Sequence, residues 1–573
     1  MQKLAEIIDS IDGKPLSKYT SLYGHYVRSN VGFNITNIYG GQIKYASVDI
    51  VLPNTLLFGD YKVGLQDYIA ASAHILREFA VCTHLANDAM AQSEAKVEKG
   101  MFLVYRYGQR VLQNSVVRLD EEHVTISLNV RLPLNTPQYE GGKSLAQPTV
   151  TLASKTKVIS ARAVRLLLIK NLPQLADTFV SQFDMDSFLA AILLYRDQNA
   201  IRAWLTKNGY VSFVGNGSIL PRRGKTDFKE AKNAVPFQSP PSMEVGIDLP
   251  SGDTVYGMAI PCGITIVTGD AYHGKSTLLD AVAAGIYNHI PGDGREYIIT
   301  DNTAISVHAE DGRSVKNTDI SFFLTKLPVS IDPKSFSTDN ASGSTSQAAA
   351  VAEAVEAGCR LMLFDEDRSA NNFMYKDAKM RTVIPNATTR PFVDNVRMLY
   401  RTFGISSILV VGASGDAFPI ADRVILVDQF LASEYTDYVR AEDDVKEEYV
   451  YHPRLRNYYA DRLRDVCINR NLSVQDNSTV KVGTEMLNVP EIIPHVTRGQ
   501  LDFIVSFLYY LTVMEQPKMH VLRDAAAGLY RKISRDGMDV ICQNSLRGGT
   551  ELEFVRMQDM LTLLYRLRCV SFK

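Results

Sequence analysis

The chain has 573 residues, 46% of them hydrophobic and 22% charged, with a net charge of −2. That balance excludes a disordered or fibrous chain, and a length prior of about 100–200 residues per domain asks for three or four domains, of which we take three. No apolar run reaches the roughly 20 residues that cross a bilayer, so no direct membrane insertion is expected. The six cysteines stand singly, without the spacing of a zinc site, which predicts a reducing compartment.

Residues 1–235 mix alternating stretches, Phe33 to Ile38 and His123 to Val130, with helical ones, Leu65 to Leu85 and Met185 to Leu205, and read as an α+β domain. They hold 27 Lys and Arg against 20 Asp and Glu. A basic module of this kind suits a polyanionic partner; simple charge drift between domains is an equal competitor. The proline-bearing stretch 220–243 marks a boundary. From 236 to 440, short apolar runs alternate with helical segments, the pattern of a sheet built from crossover units. Residues 441–573 read as a mainly helical domain that ends in MQDMLTLLYRLR, apolar at three- and four-residue spacing.

The sequence GDAYHGKS at 269–276 fits the phosphate-loop pattern and directly follows the apolar run ITIVT, the context that pattern requires. Gly269 and Gly274 permit backbone angles that turn the N–H groups of Asp270, Ala271, Tyr272 and His273 around phosphates, and the helix opening at Lys275 adds its positive end. Lys275 is expected to neutralise the β- and γ-phosphates of ATP. Ser276 is expected to place its hydroxyl on Mg²⁺, with Thr277 in the same turn. In RLMLFDED, residues 360–367, an apolar run ends on two acids: Asp365 suited to hold Mg²⁺ and Glu366 to polarise the attacking water. A strand that merely meets solvent gives the same pattern. In ASGSTSQAAAVAEAVEAG, residues 341–358, Ser342, Gly343 and Ser344 open a helix whose free N–H groups can cradle an anion; a plain capped helix is the alternative.

In this order the three segments resemble the ATP-binding-cassette (ABC) fold, with Ala341 to Thr345 in the place of the family's signature and Asp367 to Asn372 in that of its D-loop. The resemblance implies an α/β P-loop ATPase of ABC type, a mixed sheet with helices, flanked by the α+β N-terminal and mainly helical C-terminal domains. It implies a homodimer with composite ATP sites, the signature of one subunit covering the γ-phosphate held by the other. Two family features are missing. Gly412, Ala413 and Ser414 stand where a switch histidine belongs, leaving Ser414 or Asp416 to substitute, and no glutamine occurs between Thr277 and Ser346 to sense magnesium. Slow hydrolysis of ATP to ADP and phosphate is therefore expected, with Lys275, Glu366 and Ser414 as catalytic residues. Asp319 and Ser321 fall near the place of the magnesium-sensing loop, where a strand-edge role competes.

Longer stretches, among them GSILPRRG, IYNHIPGDGREYIIT, DEDRSANNFM and VVGASGDAFPIADRVI, are similar to an orphan family of ATPases of the ABC class, most closely its trypanosomatid mitochondrial branch associated with RNA editing. That similarity implies RNA as the target, RNA-editing accessory proteins as partners and the mitochondrial matrix as location, with no leader visible in the sequence. Candidate RNA contacts are Arg106 and Arg110 in YRYGQR and Arg222, Arg223 and Lys225 in LPRRGK, where arginine can pair with phosphates and tyrosine can stack on bases. An ordinary half-buried strand explains YRYGQR as well. Arg295 and Arg313 could reach phosphates or form salt bridges. The runner-up functions are the ATPase subunit of a membrane transporter and a P-loop small-molecule phosphotransferase.

Overall fold

The computed structural model describes residues 1–92, 100–103, 107–134, 157–224, 229–325, 331–384, 387–439, 451–469, 472–494, 496–513, 519–542, 551–568, 570 and 572. They fall into two compact units: Met1–Tyr107, Gln113–Ala191 and Ser545–Glu553 form the first, and Gly108–Leu112, Ile192–Asn544 and Phe554–Lys573 the second.

In the first unit an antiparallel sheet runs in the order Gly24–Arg28, Val31–Tyr39, Tyr45–Pro53, His123–Arg131, Met101–Phe102. Tyr45–Pro53 shows why it forms: Ala46, Val48, Ile50 and Leu52 are buried and alternate with partly exposed neighbours, the period-two pattern of a sheet with one face on a core. The helices Tyr68–Gln92 and Leu172–Gln182 pack together, with Phe79 edge-on to Phe179 at 5.4 Å.

The second unit is built on a six-stranded sheet in the order Ile305–Ser306, Leu361–Asp365, Ser406–Val411, Ile264–Thr268, Arg423–Asp428, Leu431–Glu434. The first five strands are parallel, and the last is joined antiparallel by a tight hairpin. A second, antiparallel sheet runs Ile298–Thr300, Tyr210–Gly215, Thr254–Pro261, Glu244–Asp248. Met258 and Ile260 of this sheet, Leu363, Ile408, Val410 and Ile425 of the other, and Leu278 and Val282 of the helix Lys275–Ala284 share one buried core. The sequence boundary at residue 235 is therefore displaced. Tyr210–Gly215 pairs with strands from beyond it, so residues 192–235 fold with the second unit. Within 236–440, where a sheet of crossover units was expected, Ile298–Thr300 likewise joins the antiparallel sheet instead.

The C-terminal segment carries the helices Ala460–Asn469, Arg498–Val513, Leu522–Asp536 and Met557–Arg566, with a small sheet of Ser473–Val474, Thr479–Val482 and Glu485–Asn488. It is fastened to the helix Gly343–Glu356 by buried charge. Arg456, 1% exposed, donates Nε to Glu356 Oε2 at 2.9 Å and lies over the Tyr565 ring at 3.8 Å. Arg313, buried as well, pairs with Glu353 at 2.9 Å. Pairing is what makes such burial tolerable, since a lone buried charge would cost several kcal/mol.

A further, partly buried pair joins Glu310 to Arg566, whose Nε donates to Oε2 at 2.9 Å and whose Nη2 donates to Oε1. Burial works against the Glu310 carboxylate, but the Arg566 guanidinium outweighs it and brings the group from 4.5 down to about 2. Because the folded value is depressed, the stabilisation is present above the unfolded value and is lost as pH falls through the folded one, an effect on the order of 3 kcal/mol. Urea titrations between about pH 5 and pH 2 should show this loss, and the double variant Glu310→Gln with Arg566→Met should flatten that part of the profile.

Candidate functional site

The strand Ile264–Thr268 is buried through Val267 and lies between Ser406–Val411 and Arg423–Asp428. At its end Gly269 takes φ +142°, and a Cβ there would collide with the Val427 carbonyl oxygen. Tyr272 (φ +65°) and Gly274 (φ +103°) then turn the chain into the helix Lys275–Ala284. Gly274 caps that helix without a side chain, so the first N–H groups stay available to an anion. Lys275 Nζ reaches back to the Asp270 carbonyl at 2.7 Å, closing the loop on itself.

Three other loops meet this one at the same end of the sheet. Leu361–Asp365 delivers Asp365 and Glu366. Asp365 caps the following turn through the Asp367 N–H at 3.2 Å, while Glu366 Oε2 accepts from the Gly412 N–H and, at 3.1 Å, from the Ala413 N–H. A Cβ on Gly412 would stand 3.6 Å from Lys275 Nζ and 3.7 Å from Glu366 Oε2, which places lysine, glutamate and this backbone corner together. The third loop is the Gln429–Phe430 hairpin turn: Phe430 N–H donates to the His273 carbonyl at 3.2 Å, and His273 Nδ1 lies 2.9 Å from Asp428 Oδ1. Gln429 (φ +47°) and Phe430 (φ +70°) are both left-handed, a conformation that costs a non-glycine residue roughly 1–2 kcal/mol.

Ser342 stands at the N-cap position of the helix Gly343–Glu356 without a side-chain capping bond, its hydroxyl turned to that of Thr345 at 2.8 Å. Ser342 is exposed, and Gly343 and Ser344 partly so. Among the hydrogen bonds of the described residues, none ties Ser342 to Ser344 to the phosphate loop of the same chain. The helix is held instead to the turn after Glu366. Gln347, fully buried, donates Nε2 to Ser369 Oγ at 3.0 Å and accepts the Ala370 N–H at 2.8 Å.

Lys275, Glu366 and the 269–277 loop thus come together, and Ser342 to Ser344 stand apart from them in hydrogen bonding. Ser414 does something else. It caps the turn Gly415–Ile420, its Oγ accepting from the Asp416 N–H at 3.2 Å, and it is the Gly412 and Ala413 amides that touch Glu366. Arg295 and Arg313 are internal: Arg295 donates Nε to the Leu220 carbonyl at 3.0 Å, and Arg313 is spent on Glu353. Asp319 accepts from the Ser321 N–H at 3.0 Å in a local turn.

The RNA candidates divide. Arg110 is buried and donates Nη2 to the Pro494 carbonyl at 2.7 Å, and Arg222 pairs with the buried Asp293 at 2.7 Å; neither guanidinium faces solvent as an RNA contact requires. Arg223 is exposed, and Arg106 and Lys225 lie outside the described residues. Their neighbours explain the difference, since a basic cluster on a sequence cannot show that a carboxylate such as Asp293 waits for it.

Sequence reasoning missed Gln347, and it located Gly412 and Ala413 without showing that their amides hold Glu366. It also missed Tyr375, whose buried hydroxyl has no hydrogen-bond partner among the described residues and is pushed up by burial, with the Glu366 and Asp416 carboxylates adding to the effect. Two of these act through backbone amides and one through a buried amide side chain, so no motif advertises them. Gln347→Leu should lower the unfolding free energy by about 1–3 kcal/mol, because it leaves the partly buried Ala370 N–H and Ser369 hydroxyl without their Gln347 partner. Chemical denaturation of the variant against the parent measures it.

Residues 184–458 match the family model of the ABC ATPase P-loop domain, and residues 1–182 that of the N-terminal domain of ATPases of the ABC class. The chain is 30% identical over 273 residues to the uncharacterized protein MJ1628 of Methanocaldococcus jannaschii, a match that covers 46% of this chain and 59% of that relative's length. Among solved structures it is similar to an inward-facing metal-chelate type ABC transporter (17% identity, TM-score 0.25, 39% of this chain and 83% of that one). It is also similar to cbiO1 from Clostridium perfringens, part of the ABC transporter complex cbiONQ (15% identity, TM-score 0.25, 39% and 87%). A glycine-lysine loop on a central parallel strand, an acidic pair two strands away and both matched models agree: residues 184–458 carry a P-loop domain of the ABC ATPase type, and residues 1–182 the N-terminal domain of that class.

Proposed function

We propose that the protein is an ATP-driven switch that works as a homodimer and acts on RNA. Each ATP is closed between the 269–277 loop of one subunit and the Ser342 to Ser344 helix start of its twin, and opening follows hydrolysis. What carries this reading is the state of that helix start: solvent-facing, free of hydrogen bonds to its own phosphate loop, and tied through Gln347 to the turn that follows Glu366. A helix N-terminus of this kind favours an anion, and a second subunit can bring one.

The donor set fits Mg²⁺. Among the described residues no group of three or more His, Cys, Asp or Glu could hold a metal unaided, so Ser276 and Asp365 would share the ion with phosphate oxygens, as Mg²⁺ prefers. When bound, the ion neutralises charge on the β- and γ-phosphates. Lys275 binds the same oxygens, and Glu366 must leave the Gly412 and Ala413 amides to orient a water, a rearrangement that accords with slow turnover.

RNA as the target is supported by the basic balance of residues 1–235 and by the resemblance of the long motifs to the RNA-editing branch of the class. Action in the mitochondrial matrix with editing accessory proteins belongs to the same proposal. Among the described residues no helix is long and apolar enough to cross a membrane.

Lys275→Ala should lose at least about tenfold in ATP affinity by calorimetry, since a point charge on two phosphates disappears. Glu366→Gln should bind ATP without turning it over and double its mass in light scattering on ATP addition; a mass that stays monomeric rejects the dimer. Labelled RNA should bind and lose affinity steeply as salt rises, because phosphate contacts release counterions. Absent or salt-independent binding rejects RNA as the target.

A further inference from the structure

Three arginines gather around one small chamber in the second unit. It has a volume of about 30 Å³ and is lined by Arg110, Arg222 and Arg295 with Gln109, Ala284 and Thr497. A water needs roughly 10–15 Å³, so the chamber takes one or two species of that size. An organic ligand asks for about 300 Å³ or more and is excluded. Arg110 and Arg295 are 7% and 5% exposed, and the Arg222 side chain 9%.

Two of these cations are well engaged. Arg222 donates Nη2 to Asp293 Oδ2 and Nη1 to the Asp293 carbonyl, both at 2.7 Å. Arg110 donates Nη2 to the Pro494 carbonyl and lies over the Tyr287 ring at 4.8 Å. Arg295 differs. Its Nε and Nη2 both donate to the Leu220 carbonyl; among the described residues its Nη1 has no hydrogen bond and its guanidinium no ion pair. Asp293 does not line the chamber, and its Oδ2 already serves Arg222 and, at 2.6 Å, His289 Nδ1. Burial, with the Arg222 guanidinium adding to it, brings Arg295 below the usual arginine range to about 9, although Asp293 and Asp280 pull the other way.

A helix end accounts for part of this positive charge. The helix Lys275–Ala284 ends against the chamber, and the carbonyl end of a helix favours a cation. That end is already served. Arg202 donates to the Gly285 and Ile286 carbonyls at 3.2 and 3.4 Å, and His289 Nε2 lies 3.3 Å from the Ala284 carbonyl. What remains is a buried guanidinium with an unused N–H edge beside two more cations, an arrangement that burial penalises strongly unless something neutralises it.

We propose that the chamber binds one small inorganic anion, chloride by its size, which accepts from Arg295 Nη1 and offsets the charge that the three guanidiniums share.

Bromide substitutes for chloride and scatters anomalously, so crystals of the full chain soaked in sodium bromide should show a bromide peak inside the ring of Arg110, Arg222 and Arg295. In solution the unfolding midpoint should be higher in sodium chloride than in sodium gluconate at equal ionic strength. It should climb by about 1–2 °C for each tenfold rise in chloride once the site fills, because a ligand bound only by the folded state stabilises it by mass action. Arg295→Met should lose that chloride response; should this variant fail to fold, the bromide map and the chloride series of the parent decide alone. A chamber that holds only water while bromide labels other sites overturns the proposal, as do equal midpoints in chloride and gluconate or a chloride response that persists in Arg295→Met. A bromide peak without any chloride response marks an adventitious ion only and overturns it as well.

Discussion

Everything chemical in this protein depends on where one strand sits. Ile264–Thr268 runs between Ser406–Val411 and Arg423–Asp428, so the loop that leaves it is touched from both sides by the loops that leave its neighbours. One neighbour supplies the Gly412 and Ala413 amides that hold Glu366, and the other supplies the Val427 carbonyl that forbids a side chain at Gly269 and the turn that carries Phe430. Parallel strands impose this, because their C-terminal ends all open on one edge and ligands collect there.

A second constraint sets how motion at that edge can travel. The helix Gly343–Glu356 is hydrogen-bonded at its start to the turn after Glu366 and ion-paired at its end to Arg456. It cannot shift without pulling on both. Ion pairs that are almost wholly buried are poor sources of net stability and good sources of fixed geometry. The Arg456, Glu353, Glu356 and Arg313 cluster thus makes the helix and the C-terminal segment one mechanical piece, the element that a nucleotide-driven closure would carry.

The sequence was most legible where function constrains consecutive residues. The 269–276 loop, the acids at 365 and 366 and the small-residue helix start could be read because phosphate binding demands particular residues at fixed spacing, and the structure puts the first two side by side. The strands Val31–Tyr39 and His123–Arg131 were legible from alternation alone. Long-range pairing was not. Nothing local in Tyr210–Gly215 says that its partners lie at 254–261 and 298–300, which is why the boundary at 235 fell inside a sheet. Arginine roles failed for a related reason. Arg110, Arg222, Arg295 and Arg313 look alike on paper, and only the carbonyls and carboxylates that surround them after folding show that each is internal.

Whether one ATP is completed by two chains is tested most directly by mixing two inactive proteins. Lys275→Ala lacks the phosphate-loop cation, and Gly343→Asp places a negative charge at the Ser342 helix start. Neither alone should hydrolyse ATP. If sites are shared between subunits, a mixed dimer holds one intact loop facing one intact helix start, and turnover should return on mixing, to a fraction of the parent rate. If mixed dimers form, as native mass measurement would establish, and remain without activity, the two motifs do not meet across subunits and the shared ATP site is refuted.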